Sequence, residues 1–223
     1  MTIRQLQTGI LAVNTYIVPC SAEPSCTRVF IVDPGGNADK IVQAVRTDDV
    51  AGIVLTHGHF DHVGAVPELK KRYGVPLCIH EADLCYTGKA AVETHRLDFS
   101  RVGMFFSGDD PCASLADFPE ADIVFRMNAE QERLPLDFAP EWSVLHTGGH
   151  SPGSVCLYHE DGCLLSGDTL FASGIGRTDL HGGNFEELMR SLSRIFKLPD
   201  ATRVYPGHGL PTTIGREKRG MGY

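Results

Sequence analysis

The stretch Gly52-Ile53-Val54-Leu55-Thr56-His57-Gly58-His59-Phe60-Asp61-His62 places four metal-ligand side chains directly behind an apolar run. Alternate residues of an extended chain share a side, so His57 and His59 can converge on one ion. The turn that follows redirects Asp61 and His62 toward a second ion. Packing these four side chains together without metal would bury imidazoles and a carboxylate at a large desolvation cost. The spacing H-x-H-x-D-H therefore predicts a dinuclear metal site.

Three further side chains lie in Gly-rich bends and can complete two coordination shells. His150 lies in Thr147-Gly148-Gly149-His150-Ser151-Pro152-Gly153, Asp168 follows an apolar run, and His208 lies in Pro206-Gly207-His208-Gly209. Alone, each would be interpreted as an ordinary loop residue. Their strand-end contexts match that of the first motif, and α/β proteins place ligands and catalytic groups at strand ends. We therefore expect these three side chains to join the metal site.

The apolar pattern along the chain is typical of an α/β protein. It predicts strands near 14–19, 28–33, 51–55, 76–80, 141–146, 153–159, 162–166 and 202–205, with helices at 37–47, 63–73 and 184–197. The segment 87–119 is rich in Gly, Asp, Ser and aromatic residues without clear periodicity, and includes Met104-Phe105-Phe106. Two interpretations of this segment stay open, a lid over the site or a loop packed on the sheet edge.

These motifs, with three further segments, make the chain resemble the metallo-β-lactamase superfamily and, within it, the short glyoxalase II-like hydrolases. The further segments are Asn14-Thr15-Tyr16, Asp33-Pro34-Gly35-Gly36 and Gly174-Ile175-Gly176-Arg177-Thr178-Asp179. The resemblance implies a four-layer αβ/βα sandwich, with two sheets face to face and helices outside.

The same resemblance implies how the ligands are shared between two ions. It assigns His57, His59 and His150 to one metal. It assigns Asp61, His62 and His208 to the other metal, and Asp168 to a bridging position. All seven positions are filled in this sequence.

The predicted chemistry follows from charge. Metal coordination can bring the pKa of water near 7, so a hydroxide between the ions would be a nucleophile at neutral pH and attack an acyl carbonyl. Asp61 could bind an ion and accept a hydrogen bond from that hydroxide, while Asp168 has two oxygens suited to bridging. Two divalent ions, both carboxylates and the hydroxide sum to about +1, which favours an anionic tetrahedral intermediate. The nitrogen and oxygen ligands suit zinc, iron or manganese, and we expect two zinc ions per chain.

Two further residues each have two open interpretations. Asp33 follows the apolar run Val29-Phe30-Ile31-Val32, where it could orient a ligating imidazole or cap the Pro-Gly-Gly turn. Arg177 follows the Gly-x-Gly of the last matching segment, where it could hold a substrate carboxylate or form a structural ion pair with Asp179.

The expected substrate is a small acyl thioester. A thiolate leaves without being protonated, and the motifs contain no dedicated general acid. The resemblance indicates thioesters such as S-lactoylglutathione. The larger glyoxalase II enzymes carry a C-terminal helical domain that supplies much of the glutathione site, whereas this chain ends fifteen residues after His208. The enzyme could accept other small thioesters, or build the pocket from segment 87–119 or a partner subunit.

Three competing functions are considered. A persulfide dioxygenase of the same superfamily would hold one iron at the positions of His57, His150 and Asp168. A nuclease is disfavoured by the acidic balance and by the short stretch between Asp168 and His208. A non-catalytic metal-binding protein is disfavoured by the complete ligand set.

Composition indicates a compact cytosolic enzyme. The 223 residues are 42% hydrophobic, which is enough for a full core, and without a linker or composition break we expect residues 1–223 to form one domain. The net charge of −8 argues against a nucleic-acid partner. The sequence contains no signal peptide and no apolar run long enough to span a membrane. Seven cysteines, an odd number, indicate reduced thiols in a cytoplasmic protein.

Overall fold

The computed structural model describes residues 1–23, 25–101, 115, 117–127 and 131–222. The strands are β1 (Arg4–Thr8), β2 (Val13–Pro19), β3 (Arg28–Val32), β4 (Asp49–Val54), β5 (Leu77–His80), β6 (Ile123–Phe125), β7 (Gln131–Arg133), β8 (Trp142–His146), β9 (Val155–His159), β10 (Cys163–Gly167), β11 (Leu170–Phe171), β12 (Gly174–Ile175), β13 (Arg203–Pro206) and β14 (Thr212–Thr213). The helices are α1 (Ala38–Val45), α2 (Phe60–Val63), α3 (Val66–Tyr73), α4 (Ala91–Arg101), α5 (Phe185–Ile195) and α6 (Ile214–Gly220), with 3-10 helices at Glu81–Tyr86 and Gly88–Ala90.

Within these residues the strands form two six-stranded sheets and a small β11–β12 ribbon. The first sheet has the order β1-β2-β3-β4-β5-β6, antiparallel from β1 to β3 and parallel from β3 to β6. The second sheet has the order β14-β13-β10-β9-β8-β7, and only β10 and β13 pair in parallel. Both sheets therefore contain a parallel pair, β3–β4 or β10–β13, whose carboxyl ends lie side by side.

Three apolar clusters define the layers of the molecule. One cluster lies between the two sheets, where Phe30 of the first sheet meets Trp142 of the second edge-on at 5.8 Å. A second packs the first sheet against α1 and α3. A third packs the second sheet against α5, through residues such as Leu188, and against α6. Two sheets face to face with helices outside confirm the predicted four-layer αβ/βα sandwich.

Helix α5 illustrates how the sequence determines an outer layer. The Asn184 side chain accepts a hydrogen bond from the Glu187 backbone N–H at 3.1 Å, which caps the first turn. Leu188, Leu192 and Ile195 follow at helical spacing and are fully buried against the second sheet. This amphipathic pattern is the reason that the predicted helix at 184–197 is confirmed.

The structure differs from the predicted elements in several places, and the elements that were not predicted include β1, β6, β7, β11, β12, β14 and α6. The helix predicted at 63–73 begins only at Val66, as α3, with Pro67 in its first turn, and Gly64 and Ala65 separate it from the short helix α2. Segment 87–119 contains the helix α4, which was not predicted because the sequence there has no clear periodicity. Phe118 of this segment packs on the first sheet's outer cluster, whereas Met104-Phe105-Phe106 lies outside the described residues.

Helices in the described part of the chain do not reach the length and apolarity that crossing a membrane requires.

The predicted ligands all follow strands of the two sheets at one edge of the sandwich. In the first sheet, β3 leads to Asp33 and β4 leads to the H-x-H-x-D-H motif. In the second sheet, β8, β10 and β13 lead to His150, Asp168 and His208. Because strand carboxyl ends meet at this edge, side chains that are distant in sequence converge there.

Candidate metal centre

The Asp33 carboxylate holds the H-x-H-x-D-H motif through hydrogen bonds. Its carboxylate accepts hydrogen bonds from the Thr56 backbone N–H at 2.8 Å and from the Thr56 hydroxyl at 2.6 Å. A third contact joins Asp33 Oδ2 to His62 Nδ1 at 3.0 Å. The carboxylate therefore lies where it can orient the His62 imidazole. Its lone pairs are directed at these donors and not at the Pro-Gly-Gly turn that follows it.

Three histidines converge next to this support. His59 Nδ1 lies 2.9 Å from His150 Nε2, and His150 Nε2 lies 3.3 Å from His57 Nε2. All three side chains are buried. We call this set the three-histidine group.

Hydrogen-bond partners determine two of the three tautomers in this group. The Arg177 carbonyl can only accept, so His150 Nδ1 donates to it at 2.7 Å and Nε2 keeps a lone pair. The Thr56 hydroxyl donates to Asp33, so His57 Nδ1 donates to that hydroxyl at 3.1 Å. Lone pairs on His57 Nε2 and His150 Nε2 thus face each other, and a proton or cation must lie between His150 and His59 at 2.9 Å.

A second set of side chains assembles beside the first. His208 Nε2 lies 3.1 Å from Asp61 Oδ2, and His62 Nε2 lies 3.6 Å from the same oxygen. We call Asp61, His62 and His208 the carboxylate group.

Asp168 lies between the two groups. Its Oδ2 is 3.6 Å from both His150 Nε2 and His208 Nε2, and its Oδ1 is 3.4 Å from His62 Nε2. Gly207 makes room for this carboxylate, since a Cβ there would lie 2.1 Å from Asp168 Oδ1. The structure thus brings all seven predicted ligands together, with Asp168 in the position predicted for the bridge.

Divalent metal ions fit this arrangement. His62 Nε2 and Asp168 Oδ1 are buried and make no hydrogen bond with any residue that the structure describes. Buried polar atoms without partners are rare and costly. Nitrogen and carboxylate ligands around two adjacent centres suit zinc, iron or manganese. The two groups therefore form a His/Asp metal-binding cluster, in which Asp33 serves as a hydrogen-bond partner of His62 because its lone pairs are already engaged.

The two groups differ in their proton affinity. Burial lowers the pKa of His57 and His59 well below the ordinary value, and the neighbouring imidazoles lower it further. Burial opposes charge on His62 as well, but Asp168, Asp61 and Asp33 raise its pKa well above the ordinary value.

His208 shows the same effect more weakly. Burial opposes its charge, but the hydrogen bond that His208 donates to Asp61 and the charge of Asp168 raise its pKa. The pKa of Asp61 is lowered despite burial because His62 and His208 lie close. The carboxylate group therefore attracts positive charge, whereas His57 and His59 stay neutral.

A cavity of about 390 Å³ opens onto both groups. Its lining residues are Leu11, His59, Phe60, Asp61, Asp98, Phe99, His150, Asp168, Arg177, Leu180 and His208. Phe60 and Phe99 form one apolar wall, with ring centroids 4.4 Å apart. A pocket with apolar walls and a polar floor suits a small organic substrate.

Arg177 lies at the rim of this cavity. Its guanidinium forms a two-pronged ion pair with Asp179, with Nε–Oδ1 and Nη2–Oδ2 distances of 2.7 Å each. The predicted ion pair is thus present, and the backbone carbonyl of Arg177 also orients His150. Binding of a substrate carboxylate by Arg177 stays a prediction.

Sequence reasoning did not identify Asp98 of α4 and Tyr86. Asp98 lines the cavity, accepts hydrogen bonds from the Tyr86 hydroxyl at 2.8 Å and the His181 backbone N–H at 3.0 Å, and lies 3.9 Å from His59 Nε2. Tyr86 packs against Gly58, where a Cβ would lie 2.4 Å from its side chain. Neither residue belongs to a spaced motif, so only the folded structure places them at the site.

Comparison with known proteins shows the family. A model of the Metallo-beta-lactamase superfamily matches residues 8–208, which include every predicted ligand. The chain belongs to this superfamily. A relative named hydroxyacylglutathione hydrolase GloC, from Haemophilus influenzae, is 33% identical over 92% of this chain and 95% of its own length. These relationships support a metal-dependent hydrolase.

Two solved structures of the superfamily share the fold over nearly their full length. The BLEG-1 B3 metallo-beta-lactamase is 32% identical, with a TM-score of 0.76 over 98% of this chain and 97% of its own. TTHA1623, solved in a di-iron-bound form, is 34% identical, with a TM-score of 0.73 over 97% of each chain. Because this second structure contains iron, zinc in the present chain stays a prediction.

Proposed function

We propose that this chain is a dinuclear metal-dependent hydrolase of small acyl thioesters of the S-lactoylglutathione type. The observation that carries the proposal is the pair of ligand groups that meet at Asp168 and open onto one cavity. A one-iron dioxygenase would need only His57, His150 and Asp168, and would leave Asp61, His62 and His208 without a role. The complete carboxylate group therefore favours a two-metal site.

The residues of the site would have distinct roles in metal binding and catalysis. His57, His59 and His150 would hold one ion, Asp61, His62 and His208 would hold the other, and Asp168 would bridge them. Divalent ions in these positions supply a Lewis acid and lower the pKa of a bound water. Asp61, at the cavity floor, would accept a hydrogen bond from the attacking water and orient it. A thiolate leaving group departs without a proton, so the reaction needs no general acid.

The cavity supports a compact acyl substrate. Leu11, Phe60, Phe99 and Leu180 provide apolar walls for an acyl chain or a thiol moiety. The relative named hydroxyacylglutathione hydrolase favours glutathione as the thiol. Arg177 is a cation at the rim that could reach a carboxylate of such a thiol, once its pairing with Asp179 is exchanged. We also propose a cytoplasmic location and one catalytic domain over residues 1–223, in keeping with the free thiols of the described cysteines.

An anaerobic thioester assay tests this function. The purified protein with two equivalents of zinc would be offered S-lactoylglutathione, a small S-acyl-N-acetylcysteamine and a chromogenic cephalosporin. We expect one free thiol per carboxylate from the thioesters, without oxygen, and loss of the activity on adding a chelator. Turnover of glutathione persulfide that consumes oxygen, with both thioesters intact, would contradict the proposal. Preferential cleavage of the cephalosporin would assign the chain to β-lactam hydrolysis instead.

His208→Ala provides an internal control within this assay. In a two-metal hydrolase it removes a ligand of the carboxylate group, so turnover should fall by about two orders of magnitude. In a one-iron enzyme the same change should have a much smaller effect. His159→Gln is the matched variant, because His159 pairs with Glu141 and is not part of the cavity lining. It should leave turnover near that of the wild type.

A further inference from the structure

Asp83 is a buried acid that belongs to none of the ligand motifs. It lies in the 3-10 helix Glu81–Tyr86, between β5 and α4, and its side chain is fully buried. The His80 imidazole caps this helix by accepting a hydrogen bond from the Ala82 backbone N–H at 3.2 Å. The short helix thereby presents Asp83 to the loops behind the three-histidine group.

The Asp83 carboxylate joins the two loops that carry this group. Its Oδ2 accepts from the Gly58 backbone N–H at 2.9 Å, between His57 and His59. Its Oδ1 accepts from the Gly153 backbone N–H at 2.6 Å, and Oδ2 accepts from the Ser151 hydroxyl at 2.7 Å. Gly153 and Ser151 belong to the loop of His150. One side chain therefore links the backbone on both sides of the three-histidine group.

Asp83 is the counterpart of Asp33. Asp33 holds the motif loop at the backbone of Thr56, and Asp83 holds it at Gly58, so the two carboxylates fix the backbone on either side of His57. Asp33 also contacts a predicted ligand directly, whereas Asp83 acts only through the backbone and Ser151. A buried carboxylate without a cationic partner is costly. Three donors offset this cost while fixing the loops.

Close packing leaves these loops little freedom. A Cβ on Gly153 would lie 2.6 Å from Asp83 Cγ, and a Cβ on Gly58 would lie 2.4 Å from Tyr86. The Gly153 backbone can approach the carboxylate this closely only because it is glycine, and Gly58 leaves room for Tyr86 of the same 3-10 helix. A displacement of Asp83 would change the spacing between His150 and the His57/His59 pair.

We propose that Asp83 is the positioning residue of the three-histidine group, holding the loop of His57 and His59 at metal-binding distance from the loop of His150. The proposal rests on the metal site of the proposed function. Its test measures zinc affinity and not turnover. Among the described residues, Asp83 accepts no hydrogen bond from the carboxylate group, which is held by other contacts. Loss of Asp83 should therefore weaken one metal position and spare the other.

Zinc titrations with a competing chelator test this selectivity. A His208→Ala background weakens the carboxylate group and reports on the three-histidine group. A His57→Ala background does the reverse. Asp83→Asn is added to each background in the full chain, stripped of metal. Each Asp83 oxygen receives a backbone N–H, so either orientation of an asparagine leaves one donor facing its NH₂ group. Asp122→Asn, a carboxylate far from the site that accepts from the Leu77 N–H, is the matched control.

We expect Asp83→Asn to weaken zinc binding by about 10- to 100-fold in the His208→Ala background and by less than about 3-fold in the His57→Ala background. Asp122→Asn should change neither. Equal weakening of both positions would show a general structural role and overturn the proposal, as would unchanged affinity. Failure of His208→Ala itself to bind zinc would contradict the proposed metal site and not the role of Asp83 alone.

A second variant keeps the test decisive if Asp83→Asn does not fold. Ser151→Ala removes one of the three hydrogen bonds and leaves the carboxylate and both backbone donors in place. It should weaken the three-histidine position by about 2- to 5-fold, with no change at the other position. The absorption spectrum of bound cobalt should also change, because it reports ligand geometry. A wild-type spectrum and affinity in Ser151→Ala, with Asp83→Asn unfolded, would overturn the proposal.

Discussion

The three-histidine group and the carboxylate group lie side by side, yet their histidines differ in proton affinity. Burial lowers the pKa of His57 and His59, so these two imidazoles remain neutral, and the lone pairs of His57 Nε2 and His150 Nε2 face each other. In the second group nearby carboxylates raise the pKa of His62 and His208, so these two imidazoles bind positive charge more readily. The difference teaches that one half of the site is preorganised for metal by its framework, and the other half by its charge.

The supports behind the two groups differ in the same way. The loops of the three-histidine group are held by two buried carboxylates, Asp33 and Asp83. The loop of His208 is held by neutral donors from β2, where Asn14 Nδ2 donates to the Pro206 and Gly209 carbonyls at 2.9 Å and the Tyr16 hydroxyl donates to the Pro206 carbonyl at 2.7 Å. Anionic supports thus lie behind the loops of the three-histidine group, and one of them, Asp33, also contacts His62 of the carboxylate group.

The largest expected effect comes from the residue that the two groups share. Asp168→Ala removes the carboxylate between them and one negative charge that offsets the repulsion of two cations. Zinc binding should weaken at both positions, and turnover should fall by at least about two orders of magnitude. Metal analysis after dialysis, together with the thioester assay, measures both effects.

Asp161→Ala is the control for Asp168→Ala, because Asp161 is an exposed carboxylate in the turn between β9 and β10. It should retain both ions and normal turnover. An Asp168→Ala protein that kept two ions and near-normal turnover would remove Asp168 from the bridging position and leave the two groups independent.

The zinc affinities of the two groups should also depend differently on pH. Protons on His62 and His208 must leave before a metal binds, and the raised pKa keeps these protons bound to a higher pH than on an ordinary histidine. Apparent zinc affinity of the carboxylate group should therefore fall first as pH decreases from about 8 to about 6. His57 and His59, with lowered pKa, stay neutral over this range, so the three-histidine group should hold its zinc.

Zinc stoichiometry measured against pH checks this prediction. We expect it to decline from two ions per chain to one before it declines to none. In a His208→Ala protein, which reports on the three-histidine group, the first step should disappear. Simultaneous loss of both ions in the wild type would show that the two groups bind metal as one unit.

The sequence predicts the ligands well because their spacing is local and their chemistry is specific. His57, His59, Asp61 and His62 fall within six residues, and crowding them together has no other simple explanation. The three distant ligands could be placed because strand ends share one edge of an α/β sandwich. The long apolar strands and the amphipathic α5 were predicted close to their observed bounds because their hydrophobic patterns are local too.

Apart from Asp33, the supporting residues could not be predicted because their roles depend on contacts between distant segments. Asp83 is an ordinary helix acid in sequence, and its three donors come from two loops brought together only by the fold. Helix α4, which carries Asp98, has a mixed surface without a clear apolar stripe, since one side faces the cavity. The short edge strands β7 and β14 are too brief for alternation to be recognised.

The smallest predicted effect tests the neutral support of the His208 loop. Tyr16→Phe removes a buried hydroxyl that donates to the Pro206 carbonyl, but Asn14 Nδ2 still donates to the same oxygen. The free energy of unfolding should therefore fall by only about 1 kcal/mol, which for a chain of this size lowers Tm by about 2–4 °C. Thermal unfolding of the metal-free protein measures this change, with Tyr73→Phe on α3 as the phenol control. Zinc affinity of the carboxylate group should stay within about 3-fold of the wild type, because charge and not loop rigidity dominates there. A larger loss of zinc than of stability would show that the His208 loop depends on its framework as much as the three-histidine group does.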